Sequence, residues 1–329
     1  MAIRGIFPGR AFPGRFRAEQ PGASPASGPA VSGPGGSDPS DAACRDARLG
    51  EVDWTAAPAG SVRTTFPAPS GSLAALVMGD PAHPPVILVP GAMGSKEDFS
   101  LMLPVLAEAG YFAVSFDLAG QYESAGAGPE NLDPPRSRYD YDLFINDVLA
   151  VLEAHGPAHV VGYSFAGVVV QLAVLRRPEL FRSIALLGCP PRGGQSFRSV
   201  SRIGWLAPLV SDRVSADLIV WGVRRNFIRA SAGRMKLVNH RFTLTRRDSV
   251  RDMVGLMRHA PDLRAALGAA TLPKFVAAGE HDVWPLRLHR EFAASIGASF
   301  ASYGSGHSPS EEAPHQLTRD LLRMYGPPG

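Results

Sequence analysis

The chain has few cysteines and no long apolar run, and both absences exclude classes of protein. Its two cysteines, Cys44 and Cys189, provide no disulfide framework. Neither stands beside a second ligand at a metal-like spacing, so we expect no bound metal. No segment is long and apolar enough to span a membrane or to act as a secretory signal. We therefore expect a cytoplasmic protein without stable membrane insertion.

The first 60 residues contain little that is expected to fold. Residues 21–40 are almost entirely Pro, Gly, Ala and Ser, a composition that buries too little apolar surface to offset its chain entropy. Arginines between residues 4 and 17 make the beginning of this segment positive. We predict a disordered tail over residues 1–60, which is either simply solvated or able to touch anionic lipid or nucleic acid.

The rest of the chain is sufficient for one enzyme-sized domain. Of its 329 residues, 45% are hydrophobic and 19% charged, which allows a large core. Predicted helices cover residues 98–109, 139–155 and 168–175. Predicted strands or strand-like apolar runs cover residues 61–66, 72–78, 86–89, 111–117, 159–161, 182–189, 274–278 and 298–301. After an initial hairpin the order is βαβα, which predicts an α/β fold with a mostly parallel sheet and helices on both faces.

A serine between small residues stands at a predicted strand-to-helix junction. Residues 162–167 read Gly-Tyr-Ser-Phe-Ala-Gly, with Ser164 as the third. This pattern is typical of a nucleophile elbow, a tight turn that lifts the hydroxyl out of the sheet. The alternative interpretation is a helix N-cap, in which Ser164 only satisfies the first amides of the following helix.

Candidates for the groups that activate a serine follow in the order acid, then histidine. Asp282 comes after the apolar run 274–278, where the carboxyl end of a parallel strand would face the active-site edge. His307 lies in a loop rich in glycine and serine. An imidazole takes the serine proton, and a buried carboxylate fixes its tautomer. Taken singly, each is also an ordinary loop residue, and Glu280 is the nearest substitute for the acid.

A glycine turn at residues 90–95 follows the predicted strand 86–89. Such a turn can offer a backbone amide, here that of Ala92, which together with the amide of Phe165 would form an oxyanion hole.

These four motifs, in this order, resemble the α/β-hydrolase superfamily over residues 60–326. The resemblance implies the α/β-hydrolase fold, a catalytic triad of Ser164, His307 and Asp282, and no cofactor.

Two positions depart from the family pattern. Pro90 stands where the oxyanion turn usually has histidine, and Tyr122 replaces the second glycine of an Asp-x-x-Gly-x-Gly-x-Ser stretch beside the pocket mouth. A serine nucleophile, in place of an aspartate, disfavours a haloalkane dehalogenase.

Residues 190–272 interrupt the alternation, and we predict a helix-rich insertion there, where the superfamily has its cap. Residues 61–189 and 273–329 would form the core. Residues 190–270 carry 14 Arg, 1 Lys, 5 Asp and no Glu, a net charge of +10, while the rest of the chain carries −7. This asymmetry would steer anionic ligands or hold a lid against an acidic body; alternatively, the arginines only solvate outer helix faces. An acyl pocket, or the cap's own core, would contain Trp205, Leu206, Leu209, Leu218, Ile219, Trp221 and Phe227.

We predict a serine hydrolase that cleaves an ester or other acyl bond of a small to medium substrate through an acyl-enzyme. With the same triad, perhydrolase (haloperoxidase) activity, carbon–carbon bond hydrolysis and acyl transfer remain open. A non-catalytic ligand-binding protein on this fold is a second class of answer. A nucleic-acid binder would use the basic insertion, but the chain has no recognisable binding motif, so we expect a small-molecule acyl substrate and no nucleic acid.

Overall fold

In the computed structural model, which describes residues 39–193 and 230–328, eight strands form one sheet. Their order across the sheet is β1-β2-β4-β3-β5-β6-β7-β8. β2 runs antiparallel to β1 and β4, and all other neighbours are parallel. The strands are β1 (Val62–Ala68), β2 (Gly71–Met78), β3 (Pro85–Val89), β4 (Phe112–Phe116), β5 (Ala158–Tyr163), β6 (Phe181–Leu187), β7 (Lys274–Gly279) and β8 (Ser299–Tyr303). The predicted α/β class and mostly parallel sheet are confirmed.

Helices cover both faces of this sheet. They are α1 (Pro39–Ala47), α2 (Leu103–Glu108), α3 (Tyr141–His155), α4 (Phe165–Arg176), α5 (Ala232–Leu244), α6 (Arg247–Arg258), α7 (Arg264–Ala269), α8 (Leu286–Ser295), α9 (Pro309–Glu312) and α10 (Pro314–Tyr325). Short 3₁₀ turns occupy Lys96–Phe99, Tyr122–Ser124, Pro129–Asn131 and Pro178–Leu180.

The alternation of side chains along β3 shows how the sheet separates two cores. Ile87 and Val89 join the larger core, which includes residues of α3, α4 and α8. Val86 and Leu88 point the other way and join a second core with residues of α2 and α10. A strand covered on both faces is apolar throughout, which explains the continuous run in this part of the sequence.

The helix predicted over residues 98–109 is shorter than expected. The structure has a 3₁₀ turn at Lys96–Phe99, and α2 begins only at Leu103. A continuous helix would need the N–H of residue 104 to bond to the carbonyl of residue 100, but residue 104 is proline and has no N–H. Proline fits only in the first turn of a helix, and that is its place in α2.

Residues 39–60 do not match the predicted disordered tail, because α1 lies within them and is held by hydrogen bonds. The carboxylate of Asp46 accepts from the backbone amides of His315 (2.9 Å) and Gln316 (3.0 Å) at the start of α10. Nδ1 of His315 also contacts it at 2.7 Å. This carboxylate therefore satisfies amides that a helix start leaves free. Residues 1–38 lie outside the described residues.

Trp54 anchors the remainder of this segment. Its buried ring packs in a small cluster with Tyr122 and Leu237, and the Arg234 guanidinium lies 5.0 Å from the ring centroid. Composition alone did not indicate this docking, because all three partners are far away in the sequence.

The described part of the predicted insertion is helical and contains α5, α6 and α7. The seven apolar residues named above for an acyl pocket all lie within residues 194–229, outside the described residues. The division into core and cap stays a prediction, as does the compartment. None of the helices in the described ranges is both long and apolar enough to cross a bilayer.

Candidate active site

Ser164 stands in a strained turn between β5 and α4. Its φ of 52° and ψ of −116° place a non-glycine residue where side chains are rarely tolerated. The Ser164 amide donates to the Leu187 carbonyl at 2.8 Å, which ties the turn to β6. Although Ser164 precedes α4, its side chain makes no capping hydrogen bond. The N-cap interpretation therefore does not account for this serine.

Small residues around the elbow are required by close approaches of the backbone. A Cβ at Gly162 would lie 2.8 Å from the Ala166 carbonyl oxygen, and one at Gly167 would lie 2.4 Å from Cβ of Cys189. Both separations are shorter than real Cβ contacts allow. The two glycines thus let α4 pack tightly against β5 and the end of β6.

The structure brings Ser164, His307 and Asp282 together at the carboxyl edge of the sheet. Nε2 of His307 lies 3.2 Å from Oγ of Ser164, and Nδ1 lies 3.0 Å from Oδ1 of Asp282. The Asp282 side chain is fully buried, while that of His307 is 20% exposed. These three groups come from loops after β5, β7 and β8, where parallel strands bring their ends together.

The charge of Asp282 governs the protonation of His307. Burial of the ring lowers the pKa of His307, but the adjacent Asp282 carboxylate, with smaller contributions from Glu312 and Glu311, outweighs burial, so that this pKa is raised above its usual value. Glu280, the alternative acid, is exposed, and its amide donates to the Tyr303 carbonyl. Asp282 is therefore the carboxylate placed to orient the imidazole.

The turn predicted to supply an oxyanion amide lies directly against the elbow. A Cβ at Gly91, the residue before Ala92, would sit 3.0 Å from Cβ of Ser164. Phe165 is the first residue of α4, so its amide has no acceptor within the helix. Phe165 follows Ser164 directly and the neighbour of Ala92 lies against it, while the oxyanion roles of the two amides stay a prediction.

Sequence reasoning did not identify the support for this turn. Met93 adopts a positive φ of 62°, and its amide donates to Oε1 of Gln121 at 3.0 Å. Nε2 of Gln121 in turn donates to Oγ of Ser249 on α6 at 2.7 Å. The signal for Gln121 was its place in the glycine-containing stretch after β4; Ser249 had none.

Tyr122 explains one departure from the family pattern. Its φ is 41°, so the backbone keeps the left-handed conformation that favours glycine, although the residue is tyrosine. The Tyr122 amide donates to Oγ1 of Thr245 at 3.0 Å, and its ring lies 4.8 Å from Nζ of Lys96. The insertion and a buried lysine thus hold this residue at the site.

Two further titratable groups lie behind the triad. Nε2 of His289 is 3.7 Å from Oδ2 of Asp282, and both side chains are fully buried. Burial lowers the pKa of His289, which keeps its ring neutral. Burial, with a contribution from Asp282, raises the pKa of Cys189 to about 12, so its thiol is not an activated nucleophile.

In residues 39–193 and 230–328, no group of three or more His, Cys, Asp or Glu is arranged to hold a metal ion.

A sequence profile of the alpha/beta hydrolase family matches residues 86–320. The chain belongs to this family. The matched range includes the turn at residues 90–95, Ser164, Asp282 and His307, so all parts of the candidate site of this alpha/beta hydrolase lie within it.

Curated relatives match a shorter part. Ethanol acetyltransferase 1 of Cyberlindnera fabianii is 28% identical over 110 residues, which are 32% of this chain and 30% of that protein. Rhodomycin D methylesterase DauP of Streptomyces sp. strain C5 is 31% identical over 113 residues, 33% of this chain and 36% of that protein. This alpha/beta hydrolase thus spans about a third of the length of these relatives.

Solved structures resemble the chain over more of its length. A hydrolase from Pseudomonas aeruginosa superposes with a TM-score of 0.64 at 22% identity, covering 80% of this chain and 98% of that one. Bromoperoxidase from Bacillus anthracis superposes with a TM-score of 0.61 at 16% identity, covering 80% and 99%. At such identities the likeness establishes the fold of this alpha/beta hydrolase and nothing about its substrate.

Proposed function

We propose that this alpha/beta hydrolase is a serine esterase that forms an acyl-enzyme on Ser164. The observation that carries the proposal is the continuous contact from Oγ of Ser164 through His307 to the buried Asp282 carboxylate. A serine hydroxyl is a weak nucleophile on its own, and it becomes reactive when a neighbouring base accepts its proton.

The reaction proceeds in two halves. Oγ of Ser164 attacks the acyl carbonyl carbon while Nε2 of His307 takes the hydroxyl proton. The carbonyl oxygen becomes an oxyanion, which accepts hydrogen bonds from the amides of Ala92 and Phe165. His307 then returns its proton to the leaving alkoxide, and the alcohol departs. Water repeats the sequence on the acyl-enzyme, releasing the acid and restoring Ser164.

The buried carboxylate makes the proton transfer favourable. Asp282 accepts from Nδ1 of His307, so Nε2 is the nitrogen left to face Ser164. Its negative charge stabilises the imidazolium that forms, in agreement with the raised pKa of His307.

The test replaces the nucleophile. Ser164→Ala should lower kcat on p-nitrophenyl acetate and p-nitrophenyl butyrate by about 10⁴-fold or more, with the melting transition preserved. Ser299→Ala is a matched control, because this exposed serine on β8 lies away from His307. An esterase activity that survives Ser164→Ala would contradict the proposal.

Acyl transfer to an alcohol is the second candidate, favoured by the relatives named ethanol acetyltransferase. The chemistry differs only in the second half, where an alcohol replaces water in attacking the acyl-enzyme. Adding ethanol to a reaction with p-nitrophenyl acetate distinguishes the two. If ethyl acetate forms faster than acetate in dilute ethanol, acyl transfer is the activity; if acetate dominates, hydrolysis is.

A further inference from the structure

Two arginines of the basic insertion point inward, toward a single carboxylate. Arg234 and Arg241 are separated by two turns of α5, so they lie on one face of that helix. Nη2 of Arg234 donates to Oδ1 of Asp98 at 2.6 Å, and Nη1 of Arg241 donates to the same oxygen at 2.8 Å. The side chains are almost completely buried, with exposures of 9%, 6% and 2% for Arg234, Arg241 and Asp98.

The Asp98 carboxylate is ionised in this cluster. Burial alone would raise the pKa of Asp98, but the guanidiniums of Arg241 and Arg234 outweigh it and bring this pKa below its usual value. A buried charge is stable only when it is paired and hydrogen-bonded, and both arginines satisfy that requirement.

Asp98 supports the turn that carries Ala92. Its Oδ2 accepts the amide hydrogen of Ser95 at 3.2 Å, and Nη1 of Arg241 lies 3.2 Å from Oγ of Ser95. A Cβ at Gly94 would lie only 2.5 Å from Oδ2 of Asp98, so the turn rests directly on the carboxylate. Asp98, Ser95 and Gly94 therefore link the two arginines to the turn that carries the Ala92 amide.

A second connection reaches the loop of His307. Arg234 also donates to Oε1 of Glu311 on α9. The Glu311 amide bonds to the carbonyl of Ser308, the residue after His307. Oγ of Ser308 is 2.8 Å from the hydroxyl of Tyr163, which precedes the nucleophile. Arg234 thus connects α5 with both loops that adjoin Ser164.

We propose that Arg234 and Arg241 are positioning residues, through which the insertion fixes the oxyanion turn and the loop that carries His307. This inference rests on the proposed esterase function. It also accounts for part of the insertion's positive charge, because two of its arginines pair with Asp98 and Glu311, which lie outside the insertion. Oxyanion donors are effective only when they are held in place before the reaction, and losing one lowers kcat by about 10²–10³-fold.

Arg241→Met tests the connection to the turn. Asp98 keeps Arg234 as a partner in this variant, so the fold is expected to survive. We expect kcat on p-nitrophenyl acetate to fall about 10- to 100-fold, a fraction of the loss of one donor, with KM nearly unchanged. The acid limb of the pH profile should stay close to its original pH, because the pKa of His307 is raised first by Asp282, which this variant leaves in place, and less by Glu312 and Glu311, of which Glu311 keeps Arg234 as its partner. The control is Arg251→Met on α6, whose side chain is 39% exposed and pairs with Asp252.

Conservative variants separate positioning from stability. Arg241→Lys retains the charge, but its shorter, flexible side chain lacks the rigid planar guanidinium whose Nη1 contacts both Asp98 and Ser95, so it should restore only part of kcat. If Arg241→Met does not fold, the charge-neutral pair Asp98→Asn with Arg241→Gln takes its place, and the same loss of kcat is expected.

The inference is overturned if either folded variant keeps the kcat of the unaltered protein and loses only thermal stability. That result is distinct from failure of the proposed function, in which Ser164→Ala itself leaves the esterase activity intact.

Discussion

Replacing Asp282 by asparagine probes the proposed triad at its most buried point. The substitution keeps the size of the side chain but removes its charge, 3.0 Å from Nδ1 of His307. A neutral amide no longer stabilises the imidazolium, and it permits the tautomer whose Nε2 already carries a proton. That tautomer cannot accept the Ser164 proton, 3.2 Å away.

The expected loss is about 10⁴-fold in kcat, which corresponds to about 5 kcal/mol of transition-state stabilisation. The assay is the steady-state rate on p-nitrophenyl acetate at a pH above the pKa of His307, with a melting curve to show that the variant folds. Glu280→Gln is the matched control, because this neighbouring acid is exposed, and it should retain full activity. The reasoning is refuted if Asp282→Asn remains within about tenfold of the unaltered protein, or if Glu280→Gln shows the larger loss.

Three other predictions concern pH and close packing. The raised pKa of His307 should place the acid limb of kcat/KM above pH 6.5, and a limb below that value would contradict its pairing with Asp282. Burial lowers the pKa of His159 to about 4, so the unfolded chain binds this proton first as the pH falls. Between pH 6.5 and pH 4, the unfolding free energy of the unaltered protein should therefore fall by about 3 kcal/mol more than that of His159→Gln, as measured by urea titrations at each pH. Identical pH dependence in both proteins would show that His159 is not the cause. In Gly279→Ala, the new Cβ would lie 1.8 Å from the Gly306 carbonyl oxygen, and moving that loop should cost about 3 kcal/mol of stability and most of the esterase rate. Gly304→Ala is its control, since a Cβ there meets nothing within 4 Å, and equal effects of both substitutions would refute the packing argument.

The fold was predictable because its signals are local. The apolar run of β3 lies within Pro85–Val89, and the two glycines that flank Ser164 lie within residues 162–167, so each signal is local. The family resemblance supplied the arrangement of these signals. The positions of Ser164, Asp282 and His307 follow from a parallel sheet, whose strand ends meet at one edge. The structure brings these three together, and their catalytic roles remain predictions.

What could not be predicted depends on contacts between distant parts of the chain. The docking of α1 depends on hydrogen bonds between Asp46 and the start of α10, 269 residues away in the sequence. The pairing of Arg241 with Asp98 spans 143 residues, and in the sequence Arg241 is one arginine among many. Composition shows an excess of positive charge, but only packing shows which arginines turn inward.

Tyr122 shows the same limit at a single residue. The family pattern has glycine at this position, and glycine adopts a positive φ at little cost. In the structure Tyr122 has a positive φ of 41°, and the hydrogen bond from its amide to Thr245 supports this conformation. A local pattern cannot reveal such compensation, because Thr245 belongs to the insertion.

The central claim is that Ser164 is an activated nucleophile, and covalent labelling tests it most directly. The intact protein would be incubated with a fluorophosphonate probe, and the labelled peptide identified by mass spectrometry, alongside Ser164→Ala and Ser299→Ala. We expect a single adduct on Ser164, its loss in Ser164→Ala and its retention in Ser299→Ala. A folded protein that takes up no label, or one labelled equally after Ser164→Ala, would contradict the account.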